Sequence, residues 1–563
     1  MAYFLKKAKQ GKRTYLAIYE SFYSNDTKGT KHHCFKSLGS VESLKNDGIL
    51  DPIAHFQEEV DKLNFDLKQK DIVQIDRSPL RYLGYFPLQL ILNKLGVKKF
   101  IDLYKLTTHF KFDLYDVLSS LIFARAVKPC SKYKTFHDVL PYLFSDFDFS
   151  YDQMMDALSF LGNDYEKMIE LFTSRYKQFY NFDTSTTYFD CTNFFFEIDR
   201  EDDFRKKGPS KENKKEPIVG LGLLLDANII PIGMKMYPGN ESEKPVLRSV
   251  IDELKKQHNS EGRTIHVADK GLNCAENIAY SKGNGDGYLF SKSVKTLPET
   301  EKTWVLLEND YIDVKDKNGK LLYRYKSCID MFPYQIERNG MKVTVMLKEK
   351  RLVTYNPSLA KKKRNEIYKM IEKAKSLTLS KAKKSEFGEC AKYVEFKSVD
   401  SSGEINDEKV YTGLNEKMIK KDLEFAGYNL LVTSEINMKD NLIYQTYRNL
   451  WRIEESFRIM KSDLDARPIF AQKKESIQGH FLVCYLTVFL ERIWQFHILN
   501  NEYSSNDIFN FIKEYRVVKA EGKYINISTS NDFIKGIAKK LNLPLMNYFL
   551  TEKQIKKVFD YKI

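Results

Sequence analysis

Tyr447, Glu454 and Lys461 are spaced by seven residues in the run Tyr-Arg-Asn-Leu-Trp-Arg-Ile-Glu-Glu-Ser-Phe-Arg-Ile-Met-Lys. At 3.6 residues per helical turn, seven residues return to nearly the same angle, so a ring, a carboxylate and an ammonium form one row. Leu450, Ile453, Phe457, Met460 and Leu464 make an adjacent apolar stripe that predicts a core-facing side. Glu454 falls at the rim of that stripe, where a carboxylate can be held rigidly, whereas Glu455 reads as a solvated helix residue. Asp190 lies inside the apolar segment Thr-Tyr-Phe-Asp-Cys-Thr-Asn-Phe, where a carboxylate is costly to bury unless paired or metal-bound. Asp269 ends a second strand-like segment, Ile-His-Val-Ala-Asp. Three acids on adjacent strands and a flanking helix could hold two divalent cations about 3.5–4 Å apart, the arrangement of an in-line phosphodiester displacement. Hard oxygen donors without Cys/His clusters favour Mg²⁺ or Mn²⁺, two ions per site.

The elements that must position these acids follow from periodicity. Residues 1–75 read as a β-rich region: Arg13 to Tyr23 and Lys31 to Leu38 are strand-like around a polar turn, and Asp51-Pro52 starts a helix toward Leu63. Residues 76–183 are helical, with Pro87 to Leu95 ending at Gly96, Asp113 to Ala126, a capping box at Ser150-Tyr-Asp-Gln153, and a helix from Asn163 to about Tyr180. Compact helices in a basic chain suggest DNA binding, helix-turn-helix-like around Gly96, or a plain bundle. The period then switches. Thr186 to Phe196, Ile218 to Leu225 and Ile229 to Tyr237 read as three antiparallel strands, followed by a helix from Lys244 to Gln257 and the strands Thr264 to Ala268 and Tyr288 to Ser291. That order is the plan of a ribonuclease-H-like domain, predicted over 184–293 and 426–500.

Residues 294–425 interrupt this plan and read as an inserted, partly β domain, with strands at Trp304 to Leu307, Lys342 to Lys348 and Lys392 to Phe396 and a lysine-rich helix at Leu359 to Lys384. Asn429 to Ser434 is a strand, Ile477 to Phe496 a buried helix, and 501–563 a mixed tail. The fold class is thus multidomain α/β, a catalytic core interrupted by an insertion and preceded by β-rich and helical regions.

With 563 residues the chain exceeds one core, and its 90 basic against 76 acidic residues give a net charge of +14, a balance that favours a polyanionic partner. The seven cysteines are scattered singly, which argues against zinc and against a disulfide framework. His32-His33-Cys34 has no second ligand pair. The N-terminal Met-Ala-Tyr-Phe-Leu-Lys-Lys lacks an apolar leader, and the apolar run Phe481 to Leu490 is too short to span a bilayer, so a cytoplasmic protein without membrane partners is expected. Two basic runs, Arg205 to Lys215 and Lys361 to Arg364, read as solvated faces or as DNA-backbone contacts. Trp304 reads as a core residue; the resemblance named below implies, as the other reading, a platform for an extruded base.

These residues carry a resemblance. The chain resembles the DDE transposases of bacterial insertion sequences, in the branch typified by insertion sequence 4, whose signature helix reads Tyr, two residues, Arg, three residues, Glu, six residues, Lys. Tyr447, Glu454 and Lys461 match at that spacing, and Met236-Tyr-Pro-Gly-Asn240 and Arg467-Pro468 also match. The resemblance implies that Asp190, Asp269 and Glu454 are catalytic and hold the metal. It also implies a cut-and-paste enzyme, nucleoid-associated in a bacterium, that cleaves double-stranded DNA at terminal inverted repeats and joins 3′-hydroxyls to target DNA as a homodimer synapsed on DNA. The alternatives are a transposase-derived, sequence-specific DNA-binding protein without catalysis, and a metal-dependent nuclease of the same fold. The signature Arg position holds Leu450. Arg448, Arg452 or Arg458 would supply the phosphate contact instead, Arg458 preferred because it stands one turn beyond Glu454. Tyr447 and Lys461 complete the expected DNA-contacting set.

Overall fold

The computed structural model describes residues 2–24, 29–71, 80–212, 215–258, 262–338, 340–379, 384–395, 413–520 and 522–563. The turn expected at 25–28, part of the first basic run (213–214) and the end of the strand expected at Lys392 to Phe396 lie outside these residues. Two units are present, Met1–Pro79 and Leu80–Ile563.

In the first unit, β1 (Ala2–Gln10), β2 (Arg13–Ser24) and β3 (Gly29–Ser40) form an antiparallel sheet in that order. Two helices follow, α1 (Val41–Asn46) and α2 (Pro52–Asp71), and Leu16, Leu44 and Phe56 pack together as a small core. The leading strand β1 was not expected from the sequence.

The second unit begins with β4 (Leu80–Tyr82) and a set of helices: α3 (Phe86–Leu95), α4 (Val97–Lys105), α5 (Leu114–Val127), α6 (Tyr151–Asn163) and α7 (Tyr165–Phe179). Gly96 adopts φ 60° between α3 and α4, a left-handed cap that costs a glycine little. Ser150 and Gln153 form the expected reciprocal capping box.

Next come β5 (Thr186–Phe195), β6 (Ile218–Leu225), β7 (Pro231–Pro238), α8 (Glu243–His258), β8 (Ile265–Ala268), α9 (Ala275–Gly283) and β9 (Gly287–Lys292). In space these strands run β7-β6-β5-β8-β9, antiparallel from β5 outward through β6 and β7, and parallel from β5 to β8 and from β8 to β9. Burial of β6 on both faces explains its unbroken apolar run, Ile-Val-Gly-Leu-Gly-Leu-Leu-Leu.

The sheet does not stop there. After α10 (Glu299–Leu306) come β10 (Ile312–Lys315) and the long hairpin of β11 (Leu321–Arg338) and β12 (Met341–Tyr355), then α11 (Pro357–Leu379), α12 (Glu416–Glu424) and β13 (Tyr428–Thr433). β13 lies antiparallel beside β9, and β12, β11 and β10 continue from it, so nine strands make one mixed sheet. The strands of the inserted segment therefore extend the central sheet. Its helices α11 and α12 enclose separate small apolar clusters, including Ile367, Ile371, Tyr393 and Ile419. Two expectations are corrected here: Trp304 lies on α10 and not on a strand, and Lys384–Tyr393 forms 3₁₀ turns interrupted by a kink at Gly388. The acidic first turn of α10, with Glu299 and Glu301, favours a helix that a short apolar run alone did not reveal.

The chain then forms α13 (Asp440–Arg448), α14 (Trp451–Arg458) and α15 (Lys474–Ile493). α15 is buried along nearly its whole length and packs on α6 and α5. It crosses α6 where Gly162 and Gly479 meet: a Cβ on Gly479 would stand 2.1 Å from the Leu158 carbonyl oxygen. The segment Lys474–Ile498 is long and apolar enough to cross a membrane, but 83% of its apolar window is buried inside the protein, as a core helix requires. Finally, α16 (Ser505–Glu514), β14 (Arg516–Ala520), β15 (Lys523–Asn526), α17 (Asp532–Leu541), β16 (Phe549–Leu550) and α18 (Glu552–Phe559) fold back. β14 pairs with β4, joining the C-terminal segment to the start of this unit in a four-stranded sheet.

Candidate active site

Strand register sets the first two acids side by side. β5 and β8 are parallel, with Phe189 opposite Ala268, so Asp190 and Asp269 are the next residues on neighbouring strands and face the same way. The following segment crosses these strand ends. Asn449 Nδ2 donates to the Tyr188 hydroxyl on β5 (3.3 Å), and the Tyr447 hydroxyl donates to Asp269 Oδ1 (3.0 Å). Burial, then the Asp269 charge, holds the Tyr447 phenol well above its ordinary range.

The carboxylates feel one another. Asp190 is pushed up to about 6 from an ordinary 3.8, chiefly by burial and further by Asp269 and Glu243, against the opposing pull of Lys211 and of the Cys191 N–H. That N–H donates to Asp190 Oδ1 at 2.8 Å. Glu454, open to solvent on one side, is also raised, by partial burial and then by Asp269. Lys211 is the balancing cation. Its ammonium lies 3.8 Å from Asp190 Oδ1 and 3.3 Å from Glu243 Oε1, and donates to the Cys191 carbonyl. Burial alone would depress this lysine; Asp190 and Glu243 outweigh it and raise it. Lys211 thus pairs with Asp190 and Glu243 and acts on Glu454, while Asp269 adds its own charge to the group, a local surplus of negative charge.

The helical row is not one straight helix. Between α13 and α14 the bonds tighten to i→i−3, as in Leu450 N–H to Tyr447 O and Ile453 N–H to Leu450 O, and beyond α14 a widened π turn spans Ile459–Asp463. Overwinding followed by underwinding leaves Tyr447 on Asp269, Glu454 within the field of Asp269, and Lys461 farther along. Lys461 Nζ donates to Glu212 Oε1 (3.0 Å) and lies over the Phe194 ring. The apolar stripe is buried as expected, from Leu450 to Leu464.

The reading of Glu455 is corrected. It is mostly enclosed and accepts from the fully buried Arg492 (3.0 Å) and from Arg452 (3.1 Å). Arg492 comes from α15, which sequence spacing around Glu455 could not announce. Of the three candidate arginines, Arg452 is committed to Glu455 and stacks over Trp451, and Arg448 lies over the Tyr444 ring. Arg458 is half-exposed, with Glu455 at 3.8 Å and Asp463 at 4.0 Å. Trp304 is partly buried, with the Lys326 ammonium over its ring. Lys211 and Glu243 were missed as site residues; the only sequence signal was the basic run that contains Lys211.

In chemical type the donors fit a divalent cation: hard carboxylate oxygens, an excess of negative charge, and Lys211 neutralising it as a cation would. Among the described residues no three His, Cys, Asp or Glu side chains already converge to ligand distance.

Asp190 and Asp269 thus lie side by side on the neighbouring parallel strands of a mixed α/β sheet, where the β5–β8 pairing ends. The chain belongs to the DDE transposase family: the transposase DDE domain model matches residues 193–490, over half of the chain, with Asp269, Glu454 and Lys461 inside the match and Asp190 three residues before it. The protein is therefore a DNA transposase by family, and such enzymes act as divalent-metal-dependent nucleases and transesterases. No curated protein matches the chain. Among solved structures, a piggyBac transposase synaptic complex with hairpin DNA is similar over 76% of this chain and 77% of that chain, at 11% identity and a TM-score of 0.34.

Proposed function

We propose that the protein is a cut-and-paste transposase of a bacterial insertion sequence, in the branch typified by insertion sequence 4, and that Asp190, Asp269 and Glu454 form its catalytic triad. One observation carries this reading: the β5–β8 register sets Asp190 beside Asp269 while the Tyr447–Glu454 segment crosses the same strand ends. The strand order β7-β6-β5-β8-β9 supports a ribonuclease-H-like core, and the strands added beyond β13 support an insertion placed before the catalytic Glu.

The three carboxylates would hold Mg²⁺ or Mn²⁺. Two such cations supply positive charge at the attacking and leaving oxygens of a displacement at phosphorus. The protein's own part is positional. Tyr447 fixes one oxygen of Asp269 and leaves the other free, Cys191 N–H orients Asp190, and Lys461 offers charge to a nearby phosphate. One site serves both hydrolysis at the terminal inverted repeats and attack of the freed 3′-hydroxyl on target DNA, because both are displacements at phosphorus. Two ends held together imply a homodimer on DNA. Free thiols at all seven cysteines are in keeping with a reducing bacterial cytoplasm.

The test is cleavage of paired transposon-end DNA in Mg²⁺ by the unmodified protein and by Asp190→Ala, Asp269→Ala and Glu454→Ala. Each substitution is expected to lower the rate on the order of 10³-fold or more while leaving the folded protein intact. Cleavage that survives any one substitution removes that residue from the triad. Binding without cleavage by the unmodified protein indicates a catalytically silent derivative, and cleavage without strand transfer a nuclease.

A further inference from the structure

Lys461 does not stand alone. The guanidinium of Arg467 comes to the same carboxylate: Arg467 Nη1 donates to Glu212 Oε2 (2.5 Å) while Lys461 takes Oε1 (3.0 Å). Both cations lie over rings of β5, Lys461 over Phe194 at 5.3 Å and Arg467 over Phe195 at 4.7 Å. Their side chains are only 18% and 23% exposed, so both are held in place rather than free in solvent. The Arg467 Nε is buried and has no hydrogen-bond partner among the described residues. The carboxylate shared between two cations meets Nη1 and leaves Nε without an acceptor among the described residues. A phosphate presents more oxygens in a tetrahedron and can meet the Nε–Nη edge of an arginine while still reaching a lysine.

The occupant belongs to a telling dipeptide. Lys211 places its ammonium on Asp190 and Glu243, and Glu212 next to it places its carboxylate on Lys461 and Arg467. Positive charge on the acids and negative charge on the bases is the charge order of a cation-bridged phosphate.

We propose that Lys461 and Arg467 form a two-cation clamp for a DNA backbone phosphate beside the acid site, held by Glu212 until DNA displaces it. Arg467 then supplies the charge that the signature Arg would have given at Leu450, whose side chain is 7% exposed on the core stripe. The proposal rests on the reading of Asp190, Asp269 and Glu454 as the reaction centre, but it concerns binding and is tested without catalysis.

The measurement is fluorescence anisotropy of a labelled 30-base-pair duplex of arbitrary sequence, in EDTA, across a salt series. Glu212→Gln is expected to tighten binding several-fold, about 3- to 10-fold, because the clamp no longer has to release an anion. Arg467→Ala is expected to weaken it by about as much and to lower the salt slope by about one. Glu212→Gln in the Arg467→Ala background is expected to recover little of that gain. Thermal melts of each variant establish folding, and Arg467→Lys, which keeps the charge and loses the fork, is expected to fall between. Unchanged or weaker binding by folded Glu212→Gln overturns the clamp, as does an undiminished gain in the Arg467→Ala background or no duplex binding by the unmodified protein. The coupling present without Mg²⁺-dependent cleavage leaves the clamp standing and removes the catalytic reading; cleavage without the coupling does the reverse.

Discussion

The central sheet carries a buried acid, Glu349, and beside it a part-exposed group of acids, and the two are built on opposite terms. On β12, Glu349 is fully buried and accepts from Arg351 Nε (2.7 Å), from the Tyr288 hydroxyl (2.9 Å) and from the Tyr334 hydroxyl (2.8 Å). Arg351 in turn pairs with Glu301 and lies 3.3 Å from the Phe332 ring centroid. Every charge there has a partner and every oxygen a donor. On the far side of β13 and β9, beside β8 and β5, Asp190 and Glu243 share Lys211, which also acts on Glu454, and Asp269 adds a further charge. The fold evidently can neutralise a buried carboxylate completely where structure alone is at stake. At the Asp190–Asp269 pair it leaves the balance to a single lysine, which is what the proposed reading of these acids as a cation site requires.

The sharpest way to break that contrast is at Glu349. Removing one member of a fully buried pair leaves an uncompensated charge, so Glu349→Ala is expected to cost about 3–5 kcal/mol of stability. The corresponding Asp269→Ala removes a repelling charge and should change stability far less in EDTA. Urea denaturation of both variants reads the difference. Equal losses at the two sites would mean that the strand-end acids are structural as well.

The pH dependence comes next in size. The folded protein holds Asp190 at about 6 against an ordinary 3.8, so the folded state binds this proton more tightly than the unfolded chain does. The contribution is therefore favourable at low pH, falls as pH rises from about 4 to 6, and stays constant above that. It amounts to a penalty on the order of 2–3 kcal/mol at neutral pH. Asp190→Asn should remove that segment of the stability–pH curve, and Mg²⁺ should offset the penalty in the unmodified protein only. The curve of the variant minus that of the parent, measured between pH 4 and 7.5 in EDTA, isolates the effect. A flat difference curve would contradict the assignment.

The two groups also differ in how far the sequence foretells them. Asp190 and Asp269 were legible because alternation places them on strands and both segments end where a turn begins. The helical row pointed to Glu454 by the same logic of period. The Glu349 network was invisible: its members come from β9, α10, β11 and β12, and nothing local in an Arg or a Tyr says which distant carboxylate it meets. Lys211 and Glu212 were hidden for the same reason, since a basic loop carries no period. The change of winding on either side of α14 also escaped, because a period of 3.6 read from the sequence does not register a local 3₁₀ or π turn. Glu455 escaped as well, since its partner Arg492 sits 37 residues later on the core helix.

The smallest effect tests the contrast most finely. Tyr447 is a neutral side-chain donor to Asp269, a weak counterpart of the two phenols on Glu349. If the cluster is kept for a cation, that hydroxyl serves to aim the Asp269 carboxylate and not to neutralise it. Tyr447→Phe should then cost about 1 kcal/mol or less in stability, the usual net worth of one hydrogen bond. The apparent Mg²⁺ affinity, read from the rise in melting temperature on titration, should weaken several-fold because Asp269 loses its fixed orientation. Tyr288→Phe, which takes one phenol from Glu349, should lower stability by a similar or larger amount and leave the Mg²⁺ titration unmoved. A Tyr447→Phe protein whose titration matches the parent would reduce that hydroxyl to a packing contact, and with it the claim that the segment before Glu454 is built to present Asp269 to a metal.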